Sequence, residues 1–266
     1  MRGSASQAIK ENLYSTQSFA VAVDNVSKSY GRLKAVDEVS FNVRTGTIMG
    51  LVGSDGAGKT TLLRMVATMI PPDKGSILVH GLDVVKQRAE IKHLMGYMPQ
   101  RFGLYPDLTV IENMTFFMDI YGISGKHREE KVRAYLGFTN LLPFLDRRAG
   151  NLSGGMKQKL GLACVLVHEP RLLILDEPTN GVDPVSRQEF WDMILEMRRR
   201  GMTILISTAY LDEAEKCDSI LLMHRSRLLV WGNPEEIRSG HPSLEDALVK
   251  RIEEADESVG QKPLRC

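Results

Sequence analysis

The strongest constraint on this chain is a glycine-rich segment between an apolar stretch and a helix-like stretch. It follows the pattern GxxxxGK[ST], and its residues are Gly53, Ser54, Asp55, Gly56, Ala57, Gly58, Lys59 and Thr60. Glycines let backbone N–H groups turn inward around phosphates without Cβ clashes. Lys59 is then placed to reach the β- and γ-phosphates, and Thr60 to offer a hydroxyl to Mg²⁺. The segment, with Thr61 directly after it, predicts a nucleoside triphosphate site.

The neighbours of this segment argue against a chance glycine-rich turn. Thr47–Val52 has the apolar character of a short strand, and Thr60–Met69 has a helical pattern. A helix that follows the loop adds its positive N-terminal end to the phosphate site. The dinucleotide-binding pattern GxGxxG does not fit, because the glycines here run GxxGxG and continue into Lys59 and Thr60.

Two adjacent carboxylates supply the second half of the predicted site. Four apolar residues, Leu172–Leu175, predict a buried strand that delivers Asp176 and Glu177 at its carboxyl end, where α/β sheets place their ligands. Asp176 is suited to organising Mg²⁺, mostly through a water, and Glu177 to polarising an attacking water as general base. In isolation such a pair is more often a turn or helix cap. The phosphate loop and the apolar strand favour the catalytic interpretation.

A third motif, LSGGMKQ at Leu152–Gln158, predicts an anion-binding helix start. Ser153, Gly154 and Gly155 would offer a hydroxyl and backbone N–H groups; a simple N-cap is the alternative. The residues between Gln100 and Ser153 differ in sequence pattern from the rest of the chain. There, apolar residues recur at helical spacing after Thr109, a candidate N-cap. We therefore predict a helical insert.

The three motifs and their order resemble the ABC transporter ATP-binding family over residues 21–250. The resemblance implies an α/β fold: a P-loop NTPase (RecA-like) core with a β subdomain and an inserted α-helical subdomain at about 101–152. Residues 1–20 and 251–266 would be tails or linkers. It also implies ATP and Mg²⁺ as ligands. Two cassettes would pair head to tail, so that Ser153, Gly154 and Gly155 reach the γ-phosphate bound by the other one.

Further positions match the family one at a time. Tyr30 matches the aromatic residue that stacks on adenine, although an ordinary turn tyrosine is the simpler interpretation without the match. Gln100 matches the glutamine that contacts Mg²⁺ and the attacking water. Asp183 matches an aspartate that communicates across the dimer, and it also suits the cap of a helix that begins at Pro184.

The sequence departs from the family at one position. A histidine usually follows the threonine of the switch region and contacts the γ-phosphate, but here Ala209 follows Thr208. Since positioning and electrostatics supply nearly all catalysis in phosphoryl transfer, we expect MgATP binding with slow hydrolysis at this site, unless another residue such as Tyr210 substitutes.

The departure also bears on assembly. The loop, the segment after Gln100 and the switch region resemble the ABC-2 exporter branch, most of all the first cassette of tandem-cassette proteins. The second cassette would then carry the switch histidine. A heteromer of separate subunits is the next alternative, and a homodimer the third.

Composition limits the cellular setting. The net charge of +1, from 34 basic and 33 acidic residues, gives no field that would attract nucleic acid. The apolar stretches fall short of the roughly 20 residues that span a bilayer. Three cysteines without CxxC spacing fit reduced thiols. We predict a cytoplasmic chain that is peripheral at the inner face of the cell membrane through a permease.

The leading functional prediction is the ATP-hydrolysing motor subunit of an ABC-2-like exporter. Its partners would be a second cassette and ABC-2-type permease subunits, with no nucleic acid. Two alternatives stay open: a soluble ribosome-associated ATPase, and a regulatory cassette that only binds nucleotide. Intact Lys59, Asp176 and Glu177 favour a hydrolase, whereas Ala209 favours the regulatory alternative.

Overall fold

The structure is a computed structural model that describes residues 19–258. The strands are β1 (Phe19–Tyr30), β2 (Leu33–Arg44), β3 (Ile48–Val52), β4 (Lys74–Val79), β5 (Leu82–Asp83), β6 (Met95–Met98), β7 (Leu172–Asp176), β8 (Thr203–Thr208), β9 (Ser219–His224) and β10 (Arg227–Gly232). The α-helices are α1 (Lys59–Val66), α2 (Arg88–Leu94), α3 (Val110–Ile120), α4 (Lys126–Lys131), α5 (Gly154–Leu166), α6 (Pro184–Arg199), α7 (Leu211–Ala214), α8 (Pro234–Arg238) and α9 (Leu244–Ser258).

A six-stranded sheet forms the centre of the fold. Its order is β10-β9-β3-β8-β7-β6, and every pair is parallel except β9 with β10. All residues of β3, β7 and β8 are buried, because helices cover both faces of a parallel sheet. This burial explains their near-continuous apolar sequences. It also fixes the carboxyl ends of β3, β7 and β8 side by side.

A second, four-stranded antiparallel sheet carries the predicted β subdomain, in the order β2-β1-β4-β5. One hydrophobic cluster joins its inner face to α1 and to one face of the central sheet. The alternating or mixed polarity of Val21–Asn25 and Glu38–Val43 predicts two short strands with a turn-like segment at 28–31 between them, and both observed strands are longer. The observed β1 continues to Tyr30, because irregularities in register keep it paired with β2.

The predicted helical insert has its own hydrophobic cluster, which α5 shares. It begins at α3, whose start has the expected Thr109 cap: Thr109 and Glu112 form a reciprocal capping box. After α4 come a π-helical turn at Val132–Leu136 and 3₁₀ turns at Leu142–Phe144 and Ala149–Asn151. Phe102 stacks on Phe117 at 5.3 Å between ring centroids, so it belongs to the packing of this insert.

The C-terminal boundary differs from the prediction. We expected a tail from residue 251, but α9 runs through Ser258. In the first half of α9, the side chains of Leu244 and Leu248 are buried. Near the end of the helix, His224 Nε2 lies 2.8 Å from Asp256 Oδ1. These contacts hold a helix whose polar sequence gives little periodic signal. At the other end, Phe19 and Ala20 belong to β1; residues 1–18 and 259–266 lie outside the described residues.

The helices of the described region are all too short or too polar to cross a lipid bilayer.

Candidate nucleotide site

The glycine loop between β3 and α1 needs glycine at two positions. Gly58 has φ +104°, and a Cβ there would lie 2.1 Å from the carbonyl oxygen of Ala35. Gly53 has φ +152°, and a Cβ there would lie 2.2 Å from the carbonyl oxygen of Met223. Any side chain at either position would strain the backbone and displace a neighbouring strand or loop. The loop is therefore packed tightly against the β subdomain and the end of β9.

Lys59 is buried at the first residue of α1. Its Nζ donates to the carbonyl oxygens of Gly53, at 2.6 Å, and Ser54, at 3.1 Å. The same Nζ lies 3.1 Å from Glu177 Oε1. A buried cation is held in place here by three acceptors, so the loop and the end of β7 meet at a single ammonium group.

Asp176 ends β7 and is buried. Its Oδ1 accepts hydrogen bonds from Ser207 Oγ, at 2.8 Å, and Thr60 Oγ1, at 3.0 Å. Tyr97 OH lies 3.4 Å from its Oδ2. The parallel register places Asp176 opposite Ser207, which puts that serine at the site. Neither Ser207 nor Tyr97 was predicted from the sequence; the position of Ser207 near the end of an apolar strand was the available signal for it.

The phenol of Tyr97 remains a hydrogen-bond donor across the physiological range. Burial and then the negative charge of Asp176 raise the pKa of Tyr97 to about 12. The Asp176 carboxylate is therefore surrounded by hydroxyl groups, and its oxygens are hard ligands of the type that Mg²⁺ prefers. No cluster of three or more histidine, cysteine or acidic residues suited to a metal occurs in the region from residue 19 to residue 258. A magnesium ion here would thus rely on Thr60, Gln100, Asp176, water and phosphate oxygens.

Glu177 is held in an unusual backbone conformation, with φ +48°. Its N–H donates to Ser207 Oγ at 3.0 Å. Its Oε2 accepts from Gln100 Nε2 at 2.9 Å and from Asn180 Nδ2 at 3.3 Å. A positive φ is uncommon for a residue with a Cβ and tends to occur at functional sites. The carboxylate is thus oriented by amide groups on one oxygen and by Lys59 on the other.

A cavity of about 490 Å³ opens over the loop. It brings together most of the predicted nucleotide-binding residues: Tyr30, Asp55, Gly56, Ala57, Gly58, Lys59, Thr60, Thr61, Gln100 and Glu177. Tyr30 is half exposed at the end of β1, on the cavity wall. The lining does not include Gly53, Ser54, Ser153, Gly154, Gly155, Asp176 or Asp183. The cavity therefore unites most of the loop with Gln100 and Glu177, but not with the LSGGMKQ motif.

Comparisons with known proteins show which family the chain belongs to. A family model described as "ABC transporter" matches residues 36–180, which is more than half of the chain. The chain belongs to the ABC transporter ATP-binding family. This confirms the predicted family and P-loop fold, since solved structures of similar shape are ATP-binding cassettes of ABC transporters.

Curated relatives of the cassette come from several bacteria. It is 52% identical over 203 residues to the probable multidrug ABC transporter ATP-binding protein YbhF of Escherichia coli (strain K12), covering 76% of this chain and 35% of that protein. It is 38% identical over 219 residues to the Nod factor export ATP-binding protein I of Sinorhizobium fredii, covering 82% and 64%. It is 33% identical over 235 residues to the linearmycin resistance ATP-binding protein LnrL of Bacillus subtilis (strain 168), covering 87% and 76%. The chain thus spans about a third of the Escherichia coli relative.

Solved structures resemble the cassette over nearly its whole described length. The ATP binding subunit of an ABC transporter superposes with a TM-score of 0.78 at 29% identity, covering 87% of this chain and 99% of that one. A nucleotide-free ATP-binding cassette from an ABC transporter superposes with a TM-score of 0.74 at 26% identity, covering 86% and 98%.

The LSGGMKQ motif of the cassette begins α5 as predicted. Ser153 is the N-cap, and its Oγ accepts from Met156 N at 3.3 Å. Gly154 is exposed, whereas a Cβ on Gly155 would lie 2.4 Å from the side chain of Ser186. Asp183 caps α6 through a hydrogen bond from Ser186 N at 2.9 Å. Both caps stabilise helix starts that lie against each other, and Gly155 is needed for their packing.

The switch region contains a buried carboxylate that was not predicted from the sequence. Glu213 is fully buried. It accepts hydrogen bonds from Thr208 Oγ1 at 2.6 Å and from Thr179 Oγ1 at 2.9 Å. Thr179 lies two residues after Glu177, and Thr208 directly precedes Ala209. Glu213 therefore links the segment after β7 to the segment after β8, while Ala209 itself is exposed.

Proposed function

We propose that the cassette binds and hydrolyses MgATP as the motor subunit of an ABC-2-like exporter. One observation carries this proposal. The carboxylate of Glu177 is oriented by Gln100 and Asn180 on one oxygen and contacts Lys59 through the other, on the wall of the cavity above the glycine loop. An arrangement that only caps a turn has no need of a second amide group from a distant segment.

ATP enters this cavity with its phosphates over the glycine loop. The backbone N–H groups of the loop and of the start of α1 face the phosphate oxygens. Lys59 Nζ exchanges its hydrogen bonds to the carbonyl oxygens of Gly53 and Ser54 for contacts with the β- and γ-phosphates. Tyr30 stacks on the base. Thr60, Gln100 and Asp176 would hold Mg²⁺, Asp176 mostly through a water, and the ion would neutralise charge on the phosphate oxygens.

Glu177 then accepts a proton from the attacking water. Its carboxylate is already fixed in orientation, so little reorganisation is needed as the reaction proceeds. Gln100 donates to Oε2 of Glu177, and both residues line the cavity. Because Gln100 stands at the start of the helical insert, the position of the insert and the orientation of the base are coupled.

The working unit is a head-to-tail pair of cassettes. Ser153, Gly154, Gly155 and Asp183 do not line the cavity of their own chain. Ser153 and Gly154 are exposed at the start of α5, where backbone N–H groups are available to an anion. A second cassette that presents this helix start to the γ-phosphate completes each site, and ATP lies between the two.

Hydrolysis at the site built on this glycine loop is slow, because Ala209 stands where a histidine would contact the γ-phosphate. Tyr210 is poorly placed to substitute: the Arg187 guanidinium lies 4.8 Å from its ring centroid, and Arg187 Nη2 lies 3.0 Å from Asp212 Oδ2. We therefore propose pairing with a second cassette that carries the histidine, in a tandem protein or a heteromer. A homodimer would contain two slow sites.

The relatives support a role in export at the membrane, because their names refer to multidrug ABC transport and Nod factor export. The cassette works at the inner face of the cell membrane by docking on permease subunits of the ABC-2 type. Tyr105 belongs to the docking surface on the insert, because it is exposed and packs edge-on against Phe116 with ring centroids 4.6 Å apart.

Steady-state ATP hydrolysis by the purified chain tests the catalytic part of the proposal. Turnover is measured over a range of protein concentrations and compared with Glu177→Gln. Low turnover that rises with concentration and disappears in the variant is the expected result. Turnover that Glu177→Gln leaves unchanged would overturn the role of Glu177.

A regulatory cassette that binds nucleotide without hydrolysing it is the second candidate, and Ala209 is the observation in its favour. The same experiment separates the two. Tight MgATP binding with no turnover, even when a histidine-bearing partner cassette is added, would favour the regulatory role.

A further inference from the structure

A cavity of about 740 Å³ lies away from the nucleotide site, where the β subdomain, the central sheet and the helical insert meet. Its volume is in the range of small-molecule sites, roughly 300 to 1,000 Å³. No residue that lines it also lines the nucleotide cavity. Its lining residues come from all three parts of the fold: Phe19, Thr45, His80, Ala134, Tyr135, Phe138, Leu166, Pro170, Arg171, Met197, Arg200, Gly201 and Met202.

Apolar and aromatic side chains make up much of the wall. Tyr135 and Phe138 face the cavity from the insert, and Leu166 and Met197 from the ends of α5 and α6. Such a wall favours a ligand with an apolar body, since removal of its surface from water is worth about 25 cal/mol per Å².

The charged lining residues are cationic. Among the described residues, Arg171 and Arg200 line the cavity and no aspartate or glutamate does. Within residues 19–258 Arg171 makes no ion pair, whereas Arg200 donates its Nε–H to Glu196 at 2.8 Å and lies 5.5 Å over the Phe138 ring. Glu169 touches the lining residue Tyr135 but is itself paired with Lys131 at 2.8 Å. The surroundings therefore favour a negative charge.

His80 adds a neutral polar group rather than a third charge. Burial, followed by the positive charge of Arg171, lowers the pKa of His80 below its ordinary value of 6.5. The ring is therefore neutral at physiological pH. The attraction for an anion comes from the two arginines alone, and it should fall as salt concentration rises.

We propose that this cavity binds a small amphipathic anion, with a carboxylate or another singly charged acidic head group held by Arg171 and Arg200. The apolar body of the ligand packs against Tyr135, Phe138 and Met197. Guanidinium groups suit such a head group because they donate hydrogen bonds in a fixed, planar arrangement. The site is independent of the proposed ATP chemistry.

Calorimetric titration of the full-length chain with decanoate, without nucleotide, tests this proposal. Decyltrimethylammonium has the same alkyl chain and the opposite charge, and it serves as the control ligand. We expect saturable binding of one decanoate per chain, at least tenfold tighter than the cation. Equal affinity for the two ligands, or no saturable decanoate binding by the folded chain, would overturn the proposal.

Two kinds of variant locate the binding. The double variant Arg171→Gln/Arg200→Gln should bind decanoate about tenfold more weakly, since each exposed charge contributes about threefold in affinity. Its affinity for decyltrimethylammonium should not fall. Arg199→Gln is the matched control, because Arg199 also pairs with Glu196 but does not line the cavity.

Ala134→Trp places a large side chain in the cavity from the insert and should weaken decanoate binding at least tenfold. Thr45→Trp fills the cavity from a different segment and provides the same test if the first variant fails to fold. Unchanged Tm and ATP binding confirm that each variant is folded. Decanoate binding that survives both the charge and the filling variants belongs elsewhere on the chain and contradicts the proposal.

Discussion

Gln100 Nε2 lies 2.9 Å from Glu177 Oε2, so a residue at the start of the helical insert directly contacts the carboxylate at the end of β7. Gln100→Ala removes this donor while leaving the contact of Glu177 with Lys59. We predict a fall in kcat of about 10- to 100-fold, because the base loses its orientation. KM for ATP should change by less than about threefold.

The matched control for this prediction is Gln188→Ala. Gln188 is an exposed glutamine on α6 whose side-chain amide donates a hydrogen bond to Asp192. It should leave both constants unchanged. An equal rise in KM and fall in kcat/KM for Gln100→Ala, with kcat intact, would place Gln100 in nucleotide binding rather than in orienting Glu177.

Glu213 should be important for stability as well as for turnover. Glu213→Ala leaves the hydroxyl groups of Thr179 and Thr208 buried without their acceptor. We predict a loss of about 2 to 4 kcal/mol in the free energy of unfolding, measured by urea denaturation. Glu215→Ala, at an exposed position just after α7, is the control and should change stability by less than about 0.5 kcal/mol. Equal effects of the two variants would show that the buried network carries no stability.

The capping box of α3 predicts a pH dependence. Hydrogen bonds from the backbone and then the side chain of Thr109 hold the pKa of Glu112 below its usual value. A carboxylate with a lowered folded-state pKa stabilises the protein above its unfolded pKa, and this contribution is lost as the pH falls through the folded value. Glu112→Gln should therefore be less stable than the parent at pH 7, and the gap should shrink below about pH 4.5.

Urea denaturation at several pH values measures this gap. Glu129→Gln, at an exposed position in the first turn of α4, is the control. It should show no comparable change with pH. A gap for Glu112→Gln that stays constant from pH 7 to pH 3 would rule out a contribution from the charged form.

Local features of the site could be predicted from the sequence, whereas contacts between strands could not. The loop, the carboxyl end of β7 and the caps at Thr109, Ser153 and Asp183 each depend on a few consecutive residues, and the structure has all three caps. The hydrogen bond from Ser207 to Asp176 depends on the register of β7 with β8, which no local pattern encodes.

The end of the cassette shows the same limit. The second half of α9 is polar, so its sequence predicted a tail. Asp256 is nevertheless buried, because His224 and Arg225 at the β9–β10 turn surround its carboxylate. A helix end fixed by a hydrogen bond to His224 and an ion pair with Arg225 gives no apolar periodicity to detect. Packing, rather than propensity, sets this boundary.

Ala209→His tests whether the missing histidine limits turnover. The position directly follows Thr208, which Glu213 holds, and its side chain is exposed, so an imidazole can be accommodated without repacking the core. We predict a rise in kcat of about tenfold or more in the assembled pair of cassettes, since one polar contact to the transferred phosphoryl group is restored. Ala209→Leu adds bulk without a hydrogen-bonding group and should not raise kcat. If both variants hydrolyse ATP at the parent rate, slow turnover has another cause, and the argument for a histidine-bearing partner cassette fails with it.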